Sequence, residues 1–168
     1  MLTVTHIAVS LLLIQLLSLD RNNAFIAMVF GVFIDLDHLI GLGSYAQANG
    51  LRPLADWSTL TNPGGQWKSL FHSPMALGAV VPMSFATVMA VPLVFWAVHV
   101  SMDYAEETFL GNFSSIEAML LVLCSFALVV IRYSKYTESY SLGSLGDYIK
   151  YEFKGLRSMF GSSNKNAL

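Results

Sequence analysis

Long apolar runs alternate with short polar breaks along the chain, and the placing of the breaks sets what it can fold into. A transmembrane helix needs about 20 mostly apolar residues. Residues 2–19 meet that length, with His6 and Gln15 as polar members. A polar turn over residues 20–23 follows. Residues 24–42 form a second run, and its last third carries Asp35, Asp37 and His38. Residues 43–70 are polar and hold Pro53, Pro63, Gly64 and Gly65, which at that length predicts a lid or binding loop. From Phe71 to Tyr104 the chain is apolar again, too long for one span and just enough for two. Pro92 disfavours helical backbone at Val91, so a break is predicted near residues 90–92. The third span is then 72–89, kinked at Pro82. The fourth is 92–103, running toward the acidic stretch 104–108. Residues 115–131 make a fifth.

Composition supports this division. Of 168 residues, 55% are hydrophobic and 12% charged, and mean hydropathy is +0.58. Soluble domains carry about 25% charged residues, so this chain has about half the charge needed to cover a soluble surface. The predicted fold is all-α: an integral membrane helical bundle of about five transmembrane helices over residues 1–131, then a tail over 132–168. The same apolar composition excludes a disordered chain, and a lone cysteine, Cys124, excludes a disulfide scaffold. A net charge of −2 leaves no basic field for nucleic acid.

Six of the nine basic residues lie in the tail: Arg132, Lys135, Lys150, Lys154, Arg157 and Lys165. Arg21 is in the first turn, and Arg52 and Lys68 are in the long loop. The positive-inside bias predicts a cytoplasmic tail, with the N-terminus and long loop outside the cell (plasma or inner) membrane. The first span has no basic residue before it and no small-residue cleavage site, so it reads as a retained helix. In the tail, Ile149, Phe153, Leu156 and Phe160 recur at spacings of four, three and four, with Lys150, Glu152, Lys154 and Arg157 between. Asp147 is the expected cap at the start and Gly161 the stop. This short amphipathic helix either lies on the membrane's inner surface, against its lipids, or docks on the protein's own underside.

All four histidines, His6, His38, His72 and His99, fall in or at the ends of predicted spans. Asp35, Asp37 and Asp103 accompany them. Ionisable groups at membrane depth are costly unless paired. His6 is near the start of span one, Asp35, Asp37 and His38 end span two, His72 opens span three, and His99 and Asp103 close span four. Antiparallel helices alternate direction, so all seven fall on one side of the membrane. Asp35 and His38 are three apart and His99 and Asp103 four apart, so each pair shares a helix face. His/Asp pairs from facing helices build metal sites in bundles. Imidazole with carboxylate suits Zn, Mn or Fe, and seven groups imply one or two ions or ligands oriented by neighbours. Asp35, His38, His99 and Asp103 are the leading ligands. His6, Asp37 and His72 follow as second-ion ligands, bases or orienting groups. Glu106 and Glu107 either join the site, one as a base, or form a solvated rim. Glu117 reads as a helix-end residue.

The order Thr5-His6, Asp35-Leu36-Asp37-His38, Phe71-His72-Ser73 and His99-Val100-Ser101-Met102-Asp103 resembles the predicted membrane-bound metal-dependent hydrolases that include the YdjM-like inner-membrane proteins. The resemblance covers roughly residues 1–108. It departs in the third element, where the family's His-Arg-Gly-x-Thr-His-Ser stands as residues 67–73, Trp-Lys-Ser-Leu-Phe-His-Ser. It departs again at Glu106, where the family tends to carry Thr. The resemblance implies a hydrolase that uses a divalent transition metal. For such a site near the interface, a phosphoester or lipid-like substrate would suit, with Asp37, His72 and Glu106 as candidate catalytic groups. Two alternatives stand beside it. One is a non-catalytic, metal-stabilised subunit bound to membrane protein partners. The other is an ion relay, disfavoured because the inner half of the spans carries no ionisable group.

Overall fold

The computed structural model describes residues 3–36, 47, 70–110, 114–139 and 144–161, with side chains of all of these but 70 and 156–161. All regular structure among the described residues is helical. Two compact units divide the chain, Met1–Ser125 and Phe126–Leu168.

In the first unit, α1 (Thr3–Leu16) is apolar nearly all round, and α2 (Arg21–Gly31) follows a tight turn. Asp20 caps α2, its carboxylate accepting from the Asn23 N–H at 2.8 Å. That bond holds the exposed Asp20 carboxyl below its ordinary value. α2 stops at Gly31. Val32 leaves helical geometry (φ −140°), and Phe33–Leu36 tightens into a 3₁₀ turn.

The described chain resumes with 3₁₀ turns at Leu70–His72 and Pro74–Ala76, then α3 (Leu77–Phe85), which contains Pro82. The break expected near residues 90–92 begins earlier. Met89 and Ala90 are both left-handed, and Pro92 sits in the first turn of α4 (Val91–Ala105), where its missing N–H costs nothing. Ser84 joins the two arms of this hairpin, donating to the Val80 carbonyl at 2.8 Å and accepting from Leu93 N–H at 3.0 Å. α4 runs on into a π-helical turn, Glu106–Leu110. The core of this unit is Ile14, Ala27, Phe30, Ala76, Val80, Val91 and Phe95.

α5 (Ser115–Ser139) continues eight residues past the apolar run that predicted it, and α6 (Leu145–Gly161) is the amphipathic tail helix. Its cap is Ser144 rather than Asp147. The Ser144 hydroxyl accepts from Asp147 N–H at 3.3 Å and donates to the Asp147 carboxylate at 2.7 Å. Asp147 therefore serves at the third helical position, where its N–H and its carboxylate both bond to the Ser144 hydroxyl.

The count of about five spans is corrected. Among the described residues, two helices, Val88–Leu110 and Ser115–Ser139, are long and apolar enough to cross a membrane, and few of their residues are buried. α1 has 14 residues, about 21 Å at 1.5 Å per residue, against a hydrocarbon core of about 30 Å. α2 is shorter still, and α3 with the turn before it covers only Pro74–Phe85. Each stops early for a local reason. α1 ends at left-handed Ser18, α2 at the Val32 break, and the α3–α4 hairpin turns at Met89 and Ala90.

Candidate metal centre

Five of the seven groups singled out in the sequence converge. The elements that carry them are α1 (His6), the turn after α2 (Asp35), the turn before α3 (His72) and α4 (His99 and Asp103). Asp35, His72, His99 and Asp103 each offer one ligand atom, and these four atoms lie within 4.8 Å of one another, an arrangement that can hold a metal ion. His99 Nε2 is 3.0 Å from Asp35 Oδ1, 3.3 Å from Asp103 Oδ2 and 3.1 Å from His72 Nε2. His72 Nε2 is 3.5 Å from Asp35 Oδ1 and 3.4 Å from Asp103 Oδ2. The imidazoles are buried, and the Asp35 and Asp103 side chains keep 21% and 14% of their surface, so the open side of the cluster is its carboxylate side.

The main chain fixes the tautomer of His99. Its Nδ1 is 3.1 Å from the Gly31 carbonyl oxygen, which can only accept, so Nδ1 carries the proton. A neutral His99 then turns the lone pair of Nε2 toward two carboxylates and a second imidazole. Such a cluster of electron pairs is relieved by a cation at its centre. An imidazole tied through its far nitrogen to a carbonyl is the usual support for a metal ligand.

That carbonyl is free because α2 ends. In a continuing helix the Asp35 N–H would bond to Gly31. Here it bonds to Val32 O at 3.2 Å. The Ser10 hydroxyl also donates to Gly31 O, at 3.4 Å. Gly31 itself is required by space. A Cβ there would collide with Ser10 Oγ and stand 3.1 Å from Phe95 Cδ1. His72 is set by α4 as well: the Trp96 indole N–H donates to the carbonyl of Phe71 at 2.8 Å.

His6 is 1% exposed and stacks on His99, ring centroids 4.1 Å apart. Among the described residues, neither of its ring nitrogens has a hydrogen-bond partner. Its Nε2 lies 3.4 Å from Asp103 Oδ1, the oxygen that Asp103 does not turn to His72 and His99. Its neighbour Thr5 points elsewhere, donating to the buried Glu117 carboxylate at 3.1 Å. Glu117, expected as a helix-end residue, is 2% exposed and ties the first turns of α1 and α5 together. Glu106 is buried in the π-helical turn that follows Asp103, while Glu107 is exposed. Asp37 and His38 lie outside the described residues.

Sequence reading missed four contributors: Ser10, Gly31, Trp96 and the Thr5–Glu117 bond. Gly31 acts through a backbone atom and Thr5–Glu117 spans 112 residues, so neither leaves a local pattern. Trp96 offered one signal, since it lies three residues before His99 on the same helix face. No family model, curated protein or solved structure matches the chain.

Proposed function

We propose that the chain is a membrane-embedded metal-dependent hydrolase, a divergent relative of the YdjM-like family, acting on a phosphoester or lipid-like substrate at the membrane interface. The observation that carries this reading is the convergence of Asp35 Oδ1, His72 Nε2, His99 Nε2 and Asp103 Oδ2, with His99 oriented by a carbonyl. The ion we propose is zinc, with manganese or iron as alternatives. A tetrahedral site with bonds of about 2.05 Å has ligand–ligand edges of about 3.3 Å. Five of the six edges among these four atoms, 3.0–3.5 Å, bracket that value. His6 Nε2 and Asp103 Oδ1, 3.4 Å apart, would help hold a second ion if one binds. When bound, the ion supplies Lewis acidity and an activated water.

The chain's own residues would do the rest. His99 and His72 hold the centre, and the carboxylate side admits substrate. Buried Glu106, one helical turn after Asp103, is the candidate base, with Asp37 as the alternative, or His72 if it does not bind the ion. The outward-facing apolar surface of Val88–Leu110 and Ser115–Ser139 supports an integral membrane location. The basic residues of the tail favour a cytoplasmic C-terminus.

A second reading has its own support. Four protein ligands close a tetrahedral site, and closed sites are structural, whereas catalytic zinc keeps a position open. On that reading the chain is a metal-stabilised subunit of a membrane complex. Elemental analysis of the detergent-purified protein beside Asp35→Ala and His99→Ala tests both. Loss of bound metal in the variants, with turnover of phosphoesters or lipids by the parent, supports the hydrolase. Metal without turnover favours the subunit. No metal, even after reconstitution, removes both.

A further inference from the structure

In the second unit, α6 has two dissimilar sides. One grips the end of α5. Arg132 Nε and Nη2 bond to the two carboxylate oxygens of Glu152 at 3.0 and 2.8 Å. The ring of Tyr148 packs against Tyr133 and Tyr136, at centroid distances of 5.5 and 5.6 Å, and Tyr151 packs on Tyr136 at 5.3 Å. The other side is bare. Leu145, Ile149 and Phe153 follow one another at four-residue spacing and are 58%, 47% and 68% exposed. Lys150 and Lys154 flank them, Lys150 almost fully in solvent and only 3.8 Å from Asp147.

The place where α6 is clamped says what covers the bare side. No charged residue lies between Glu117 and Arg132. On the near side of Arg132, Phe126, Val129 and Val130 point outward at 68%, 50% and 47% exposure. Whatever apolar medium covers those three must end at Arg132, the first charge after them. Glu152 is bonded to that residue, and Phe153 is next to Glu152. The apolar stripe of α6 is therefore held at the level where the medium around α5 gives way to water.

We infer that α6 is an interfacial helix, with Leu145, Ile149 and Phe153 in the boundary between lipid headgroups and acyl chains and Lys150 and Lys154 reaching back to the headgroups. An amphipathic helix with an aromatic and aliphatic stripe flanked by lysines has the chemistry this position requires. The Arg132–Glu152 clamp fixes its depth, and the tyrosine cluster fixes its rotation about its own axis.

The test uses the full chain in vesicles of phosphatidylcholine and phosphatidylglycerol. Single cysteines at Ile149→Cys, Phe153→Cys and Lys150→Cys, in a Cys124→Ser background, carry an environment-sensitive fluorophore. The expected result is blue-shifted emission at 149 and 153, severalfold stronger quenching there by lipid-borne nitroxide than at 150, and iodide quenching confined to 150. Two positions on the stripe keep the test intact if one substitution prevents folding. Equal iodide quenching at all three positions overturns the inference. So does protection of 149 and 153 from both quenchers, which would place a protein surface on the stripe.

Discussion

Gly31→Ala tests the construction of the centre without touching any group that would bind an ion. The new methyl collides with Ser10 Oγ and meets Phe95 Cδ1 at 3.1 Å, tighter than ordinary contact. Phe95 is 1% exposed and cannot swing away. Ser10 can turn only by giving up its bond to Gly31 O. Overpacking of this kind costs about 1–3 kcal/mol. Alanine's better helix propensity returns roughly 0.5–1 kcal/mol, so the net loss of stability is about 0–2.5 kcal/mol. The larger effect falls on His99. Moving α2 off α1 and α4 lengthens the 3.1 Å bond from Nδ1 to Gly31 O, and losing such support lowers metal affinity about 10–100-fold. Competition with a metal-sensitive dye reads the affinity, and thermal unfolding in detergent reads the stability. Ser10→Ala added to Gly31→Ala removes the closest contact and should restore part of both losses, leaving the Phe95 contact. Wild-type affinity and stability in Gly31→Ala, or no recovery in the double variant, would refute the packing argument.

Trp96→Phe removes the donor to Phe71 O, and we expect weaker metal binding through a displaced His72, with Asp35 and His99 still competent; unchanged affinity in the same dye competition would count against that role. Thr5→Val takes the hydroxyl donor from the buried Glu117, at a cost of about 1–3 kcal/mol, while Thr5→Ser keeps it, so only the valine variant should unfold at lower temperature. Asp20 makes an acid-sensitive cap. Its folded-state pKa is depressed from 3.8, so its stabilisation is present above 3.8 and fades as pH falls through the lower folded value. Asp20→Asn keeps an acceptor at that position and should flatten this part of the stability–pH curve measured by circular dichroism.

Much of the centre was legible because the topology argument needed only directions. His6, Asp35, His72, His99 and Asp103 were placed on one side by alternating helix ends, and the structure brings them within a few ångströms. The helix lengths were less legible. Hydropathy measures how apolar a run is and says nothing about where its backbone breaks. Residues 24–42 read as continuous, yet α2 stops at Gly31, where Val32 leaves helical geometry and the freed Gly31 carbonyl bonds to His99 on another helix. The Met89–Ala90 turn was anticipated through Pro92 and begins one residue earlier than expected, since two non-glycine residues adopt left-handed geometry that no propensity favours. Ser144 displaced Asp147 as the cap of α6 because both residue types cap well and the turn geometry chooses between them.

The acceptor that orients His99 is a main-chain oxygen at a helix end, and this ties a chemical property to a length. One more turn of regular helix in α2 would give Gly31 O to the Asp35 N–H, at the cost of its bond to the imidazole. The same change would swing the Asp35 carboxylate around the helix axis and out of the cluster. Substitutions in residues 32–36 that favour regular helix would therefore disarm the centre while leaving every ionisable side chain in place. Helical continuity and the orientation of His99 compete for one hydrogen bond, and this chain gives up the continuity.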